Sequence, residues 1–90
     1  MGKEYMKQVI CAVRDSAADV FGRPYFVPTA GVAIRSFTDE VNRVADDNQF
    51  YKHPKDFALY ELGVYDDNTA MVETHAQPKL LINADQCLLT

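Results

Sequence analysis

Phe57-Ala58-Leu59-Tyr60-Glu61-Leu62-Gly63-Val64-Tyr65, then Asp66-Asp67-Asn68-Thr69, then Ala70-Met71-Val72-Glu73-Thr74, is the stretch on which the fold turns. Aromatic and β-branched residues fill both flanks. Between them stand four residues of the kind that bond their own backbone, so the segment predicts a β-hairpin with its turn at 66–69. Upstream, Phe50-Tyr51-Lys52-His53-Pro54-Lys55-Asp56 reads as a connector that Pro54 and the charges keep out of a sheet. Downstream, Leu80-Leu81-Ile82 adds a short edge strand, and residues 83–90 read as a mobile tail beyond a domain of residues 1–82.

Before the connector the period changes. Ile34, Phe37, Val41, Val44 and Ala45 form one stripe, with Arg35, Asp39, Asn42, Arg43 and Asp46 outside it, which predicts an amphipathic helix. Thr29 after Pro28 is its N-cap, although Ser36-Phe37-Thr38-Asp39 offers a later start. Asp46-Asp47-Asn48 ends it, with Asn48 expected in the left-handed cap position. Nearer the N-terminus, residues 5–14 fit a helix almost as well as a strand; Val9-Ile10, Val13 and the Asp15-Ser16 turn decide for strand. A second extended stretch covers residues 17–21, is broken at Gly22-Arg23-Pro24 and resumes over 25–28. The resulting order, ββαββ, is that of an α+β domain: a small antiparallel sheet with one amphipathic helix packed on a face.

Ninety residues with 48% hydrophobic content hold one such domain, with a core worth roughly 5–13 kcal/mol net. The net charge of −4 weighs against a protein that coats nucleic acid by overall attraction. Its distribution is uneven: residues 1–45 carry six basic and five acidic groups, residues 46–90 three and eight, and all four arginines fall in the first half. Cys11 and Cys87 have neither CxxC spacing nor scaffold density, so both are read as reduced thiols. Five consecutive apolar residues, 9–13, are too few for a signal h-region or a membrane span.

Chemistry is sparse. His53 and His75 stand at no metal-binding spacing, and Asp66-Asp67-Asn68 lacks the glycine and distal glutamate of a calcium loop. Cys11 lies in an apolar run without a nucleophile context, and the acidic pairs 39–40, 46–47 and 66–67 occur at caps and turns where carboxylates are ordinary. The four glycines are isolated, so no phosphate loop exists. No catalytic residue, metal or cofactor is expected. What remains is a basic and aromatic set, with Tyr5, Tyr25, Phe26, Tyr51 and Tyr65 interleaved among the cations. From it Arg14, Arg23, Tyr25, Arg35, Arg43 and Lys52 are the candidate nucleic-acid-binding residues, cations for phosphates and a ring for a base. Phe26 and Phe37 are assigned to the core.

One ordered series goes further. Phe21-Gly22-Arg23-Pro24-Tyr25-Phe26-Val27-Pro28, Gly31-Val32-Ala33-Ile34-Arg35-Ser36-Phe37-Thr38-Asp39-Glu40-Val41-Asn42-Arg43, His53-Pro54-Lys55-Asp56-Phe57 and Tyr60-Glu61-Leu62-Gly63-Val64-Tyr65-Asp66-Asp67 together resemble the small nonstructural protein of gokushoviruses. These are microviruses, bacteriophages with single-stranded DNA genomes, and the likeness runs over residues 8–82. It implies a protein of the host bacterial cytoplasm, absent from the virion, that binds DNA in single-stranded DNA synthesis or its delivery to capsids. It brings no catalytic residues. Where relatives have Thr-Gly in the hairpin turn, this chain has Thr69-Ala70. The expected partners are single-stranded DNA, phage or host replication proteins and a second copy in a homodimer, with no membrane. The rival expectation is an adaptor that docks a phage or host protein without touching DNA.

Overall fold

Nine residues of alternating direction form the central strand of the molecule, β1 (Lys7–Asp15), in the computed structural model, which describes residues 7–89. Tyr5 and Met6, which the sequence reading placed in this strand, lie outside the described residues. β2 (Val20–Phe21) and β3 (Tyr25–Val27) both pair antiparallel with the same edge of β1, the first at Arg14 and Asp15, the second at residues 9–11. They are one strand interrupted at Gly22-Arg23-Pro24, and Gly22 N–H still donates to Val13 O at 2.8 Å across the break. β4 (Phe57–Asp66) pairs with the other edge of β1, and β5 (Met71–Asn83) pairs with β4. The sheet order β2-β1-β4-β5, with β3 beside β1, is the antiparallel α+β arrangement the sequence predicts.

The helix α1 (Ala30–Val41) begins where expected: Thr29 is extended and its Oγ1 accepts from Val32 N at 3.1 Å. Its end is a correction. The helix stops at Val41, and Val44, expected on the apolar stripe, is 76% exposed. Two asparagines account for the early stop. Asn42 Nδ2 donates to Thr38 O and Cys87 O, both at 2.8 Å, and Asn48 Nδ2 reaches back to Glu40 O (2.7 Å) and Arg43 O (2.8 Å), so the terminal carbonyls are satisfied by side chains. Asn48 is not in the left-handed region, with φ −93°. It is the buried N-cap of the short helix α2 (Gln49–Lys52), accepting from Phe50 N and Tyr51 N. The connector thus holds α2 and a 3-10 turn at Pro54–Asp56.

Two further corrections concern the C-terminal third. The expected partner strand 70–74 and edge strand 80–82 are one strand, β5, in which residues 75–78 bulge opposite the single residue Leu62. Pro78 is tolerated because β5 is an edge. The expected tail is docked instead: Asn83 caps a 3-10 turn, Ala84–Cys87, that buries Ala84 and Cys87, and Leu89 N–H donates to Asn42 Oδ1 at 3.1 Å. Two small apolar side chains, together with the hydrogen bonds of Asn42 to Cys87 O and Leu89 N–H, anchor it beside α1.

The core lies between α1 and one face of the sheet. Ala33, Phe37 and Val41 from the helix meet Cys11, Leu59, Ala84 and Cys87, with Val9, Val13, Tyr25, Val27 and Phe57 packed around them. Strand alternation assigns the other side chains of β1, Ile10, Ala12 and Arg14, to the opposite face. The helix leaves that face open.

Candidate nucleic-acid interface

Register determines what lines the open face, because residues paired across strands point the same way. Phe21 is opposite Arg14, Phe26 opposite Ile10, Tyr60 opposite Ala12, and Tyr65 opposite Gln8, so all four rings share the helix-free side. They meet in pairs across β1. Phe21 and Tyr60 stand edge to face with centroids 5.3 Å apart, and Phe26 and Tyr65 do so at 5.5 Å. Strands on either side of β1 are about 9.6 Å apart, so these rings lean inward over it, which the small Ala12 permits. Ala12 is fully covered and Ile10 nearly so, whereas Phe21 and Phe26 remain 38% and 51% exposed. Arg14 completes the first pair, its guanidinium carbon 5.6 Å from the Phe21 centroid. Four residues of β1 separate Phe21 from Phe26 in register, so the two ring stations are about 13 Å apart along the strand.

Only part of the residue set read from sequence is gathered here. Arg14 lies on the open face, half-buried and ion-paired to Asp19. Arg23 is exposed at the rim, in the break between the strands that carry Phe21 and Phe26. Tyr25 faces the other way: it pairs with Cys11, packs against the core, and burial raises its hydroxyl pKa. Its neighbour Phe26, assigned to the core from sequence, is the exposed ring. Arg35 is exposed on α1, two residues from both Ala33 and Phe37 and so turned from the sheet. Arg43 follows α1 and is held by Glu40 at 2.7 Å and Asp47 at 3.7 Å; the hydrogen bonds of this pair lower the Glu40 pKa and raise that of Arg43. Lys52 Nζ donates to Asp46 O. Arg35 and Arg43 share residues 35–47 with Asp39, Glu40, Asp46 and Asp47, so the helix side is acidic on balance.

Sequence reasoning passed over Phe21 and Tyr60 and mistook the side of Phe26. The available signal was the unbroken apolar run 9–13, since a strand apolar on both faces has something to meet on both. It also passed over Lys55, which with Arg14, Ser16, Asp56, Phe57, Ala58, Tyr60 and Asn83 lines a cleft of about 100 Å³ at one end of the ring face.

Elsewhere Glu61, largely buried, accepts from His75 Nε2 at 2.6 Å, which draws the β5 bulge onto β4. Burial pushes the Cys11 thiol up to about 11, and the charge of Glu61 adds to the effect, so this sulfur is a neutral core group. Among the described residues, no group of three or more His, Cys, Asp or Glu is placed to hold a metal ion, and no helix is long and apolar enough to cross a membrane.

The family model described as phage ORF5 protein matches residues 8–87, nearly the whole chain. No curated protein and no solved structure matches it.

Proposed function

Because the chain belongs to the phage ORF5 protein family, we propose that it is a non-enzymatic phage protein that binds single-stranded DNA on the helix-free face of its sheet. The observation that carries this reading is the pair of exposed ring stations, Phe21 with Tyr60 and Phe26 with Tyr65, with Arg14 beside the first. Base faces stack on such rings for about 1–3 kcal/mol each, whatever the base, while cations follow the phosphates. In a duplex the base faces are already stacked on one another, so the platform selects unpaired strands. The likeness to the gokushovirus nonstructural protein supports the same role, in single-stranded genome synthesis or its delivery to capsids within the host bacterial cytoplasm. A net charge of −4 fits a protein whose affinity comes from local rings and few cations, with the acidic helix side facing away from the strand.

A homodimer belongs to this proposal: β5 leaves one edge of the sheet open, with Met71, Val72 and Leu80 exposed along it. Sedimentation at micromolar concentration checks it, and a monomer there removes it.

A second reading, an adaptor that docks a phage or host replication or capsid protein, is favoured by Val72 and Leu80. They pair with Tyr65 and Tyr60, extend the open face, and are 51% and 48% exposed, aliphatic area that bases do not need. One titration separates the two. The chain has no Trp, so emission comes from its five tyrosines, two of which, Tyr60 and Tyr65, stand on the ring face, and the Tyr60→Phe/Tyr65→Phe variant isolates their share. A single strand of about 20 nucleotides should quench it, with affinity that falls between about 50 and 200 mM salt, and an equal duplex should not compete. No quenching and no binding at low salt would turn the assignment to the adaptor.

A further inference from the structure

We infer that the cleft between Arg14 and Lys55 receives a phosphate of the strand lying on the ring platform, and that Asp19 holds Arg14 in reserve as an internal competitor for it; this rests on the single-stranded DNA reading above. The cleft is built by register. Ala58, with no side chain beyond its methyl, has Arg14 of β1 opposite it on one side and Asn83 of β5 on the other. Tyr60 stands two residues along the same strand and on the same face, so the cleft opens directly beside the Phe21–Tyr60 station. Ser16 and Asp56 close its end. They are tied together by two bonds to one carbonyl, Ser16 N to Asp56 O at 2.8 Å and Ser16 Oγ to the same oxygen at 3.1 Å, which fixes the loop that carries Lys55.

The cleft, about 100 Å³ and open to solvent on one side, has room for a group the size of one phosphate. Two cations and one carboxylate, that of Asp56, line it, leaving a positive balance. Arg14 is the shared element: its guanidinium sits against Phe21, where a base would stack, and also lines the cleft, where that nucleotide's phosphate would lie. In the free protein its ion-pair partner is Asp19, whose side chain is 82% exposed. A phosphate entering the cleft takes the place of that carboxylate, and Asp19 swings into water at little cost. Asp19 has φ 58°, a left-handed conformation that asparagine also adopts readily, so its charge can be removed without disturbing the turn.

The test is the salt dependence of single-strand binding for the wild type, Lys55→Gln and Asp19→Asn, with Phe21→Ala as the platform control and thermal melting to show that each variant is folded. Lys55→Gln should lower the magnitude of the slope of log affinity against log salt by about 0.7, the value of one phosphate on a single strand. Asp19→Asn should raise affinity about two- to fivefold, the opposite direction from damage to the fold. Wild-type slopes and affinities in both variants, with Phe21→Ala still weakening binding, would overturn the phosphate cleft and leave the platform standing. A wild type that binds no single strand at low salt would overturn both.

Discussion

Gly63→Ala would drive a methyl group into the backbone of the neighbouring strand. Gly63 is opposite Ile10 on one side and Thr74 on the other, at the point where β5 leaves its bulge and resumes pairing. An added Cβ there would lie 2.3 Å from Glu73 O, 2.8 Å from Thr74 Cα and 3.1 Å from the Glu73 carbonyl carbon. All three are backbone atoms, so no rotamer change relieves the overlap and β5 must move outward by about 1 Å or more to restore van der Waals contact. That displacement strains the hydrogen bonds between residues 63–66 and 71–74. Overpacking costs about 1–3 kcal/mol where side chains give way, so rigid backbone places this substitution at the upper end, about 3 kcal/mol. With a urea m-value of about 1.5 kcal/mol/M, the unfolding midpoint falls by about 2 M. Equilibrium urea unfolding followed by circular dichroism measures it. A midpoint within about 0.3 M of wild type would refute the close approach of β4 and β5 at this position.

Other substitutions probe the remaining joints. Asn48→Ala removes four hydrogen bonds at once, orphaning the Arg43 carbonyl and the N–H groups of Phe50 and Tyr51 while Glu40 O keeps its bond from Arg43 N–H, and should cost about 2–4 kcal/mol in the same urea assay. Ala70 has φ 62° in the hairpin turn, so Ala70→Gly should raise stability by about 0.5–1 kcal/mol and increase the melting temperature. Cys11 and Cys87 are both buried, so a thiol reagent should modify them only at the rate of unfolding, measurable by absorbance with and without denaturant. The Cys11 pKa rises from 9.0 to about 11 on folding, so the folded chain binds more protons between those values; stability is intact below about pH 9 and declines as pH rises toward 11, and Cys11→Ser should flatten that decline in alkaline melting curves.

The parts of the fold that local chemistry determines were legible. Thr29 caps α1 because its hydroxyl reaches Val32 N, and the 57–74 hairpin forms because its alternating strands flank a run of turn residues. The parts that failed depend on long-range partners. Val44 continues the apolar stripe, yet the helix has already ended because Asn48, eight residues after Glu40, supplies donors to its last turn. Ala84 and Cys87 are too small and too isolated for a pattern, and are buried only because Asn42 of α1 binds the Cys87 carbonyl and the Leu89 amide. For the site, residue types were legible and sides were not. Tyr25 and Phe26 are adjacent and both aromatic, and only the pairing of Cys11 with Tyr25 and of Ile10 with Phe26 decides which ring meets water. The arginines divide in the same way, Arg14 to the ring face and Arg35 and Arg43 to the acidic helix side.

That division makes the central claim testable with two double variants on opposite sides of one sheet. Fluorescence anisotropy of a labelled single strand is measured with wild type, Phe21→Ala/Phe26→Ala and Arg35→Ala/Arg43→Ala at low salt. Losing two exposed rings at about 1 kcal/mol or more per base should weaken binding at least about 30-fold, while the arginine pair should stay within about twofold of wild type. Binding that survives loss of the rings and disappears with the two arginines would contradict the account and place DNA on the helix side.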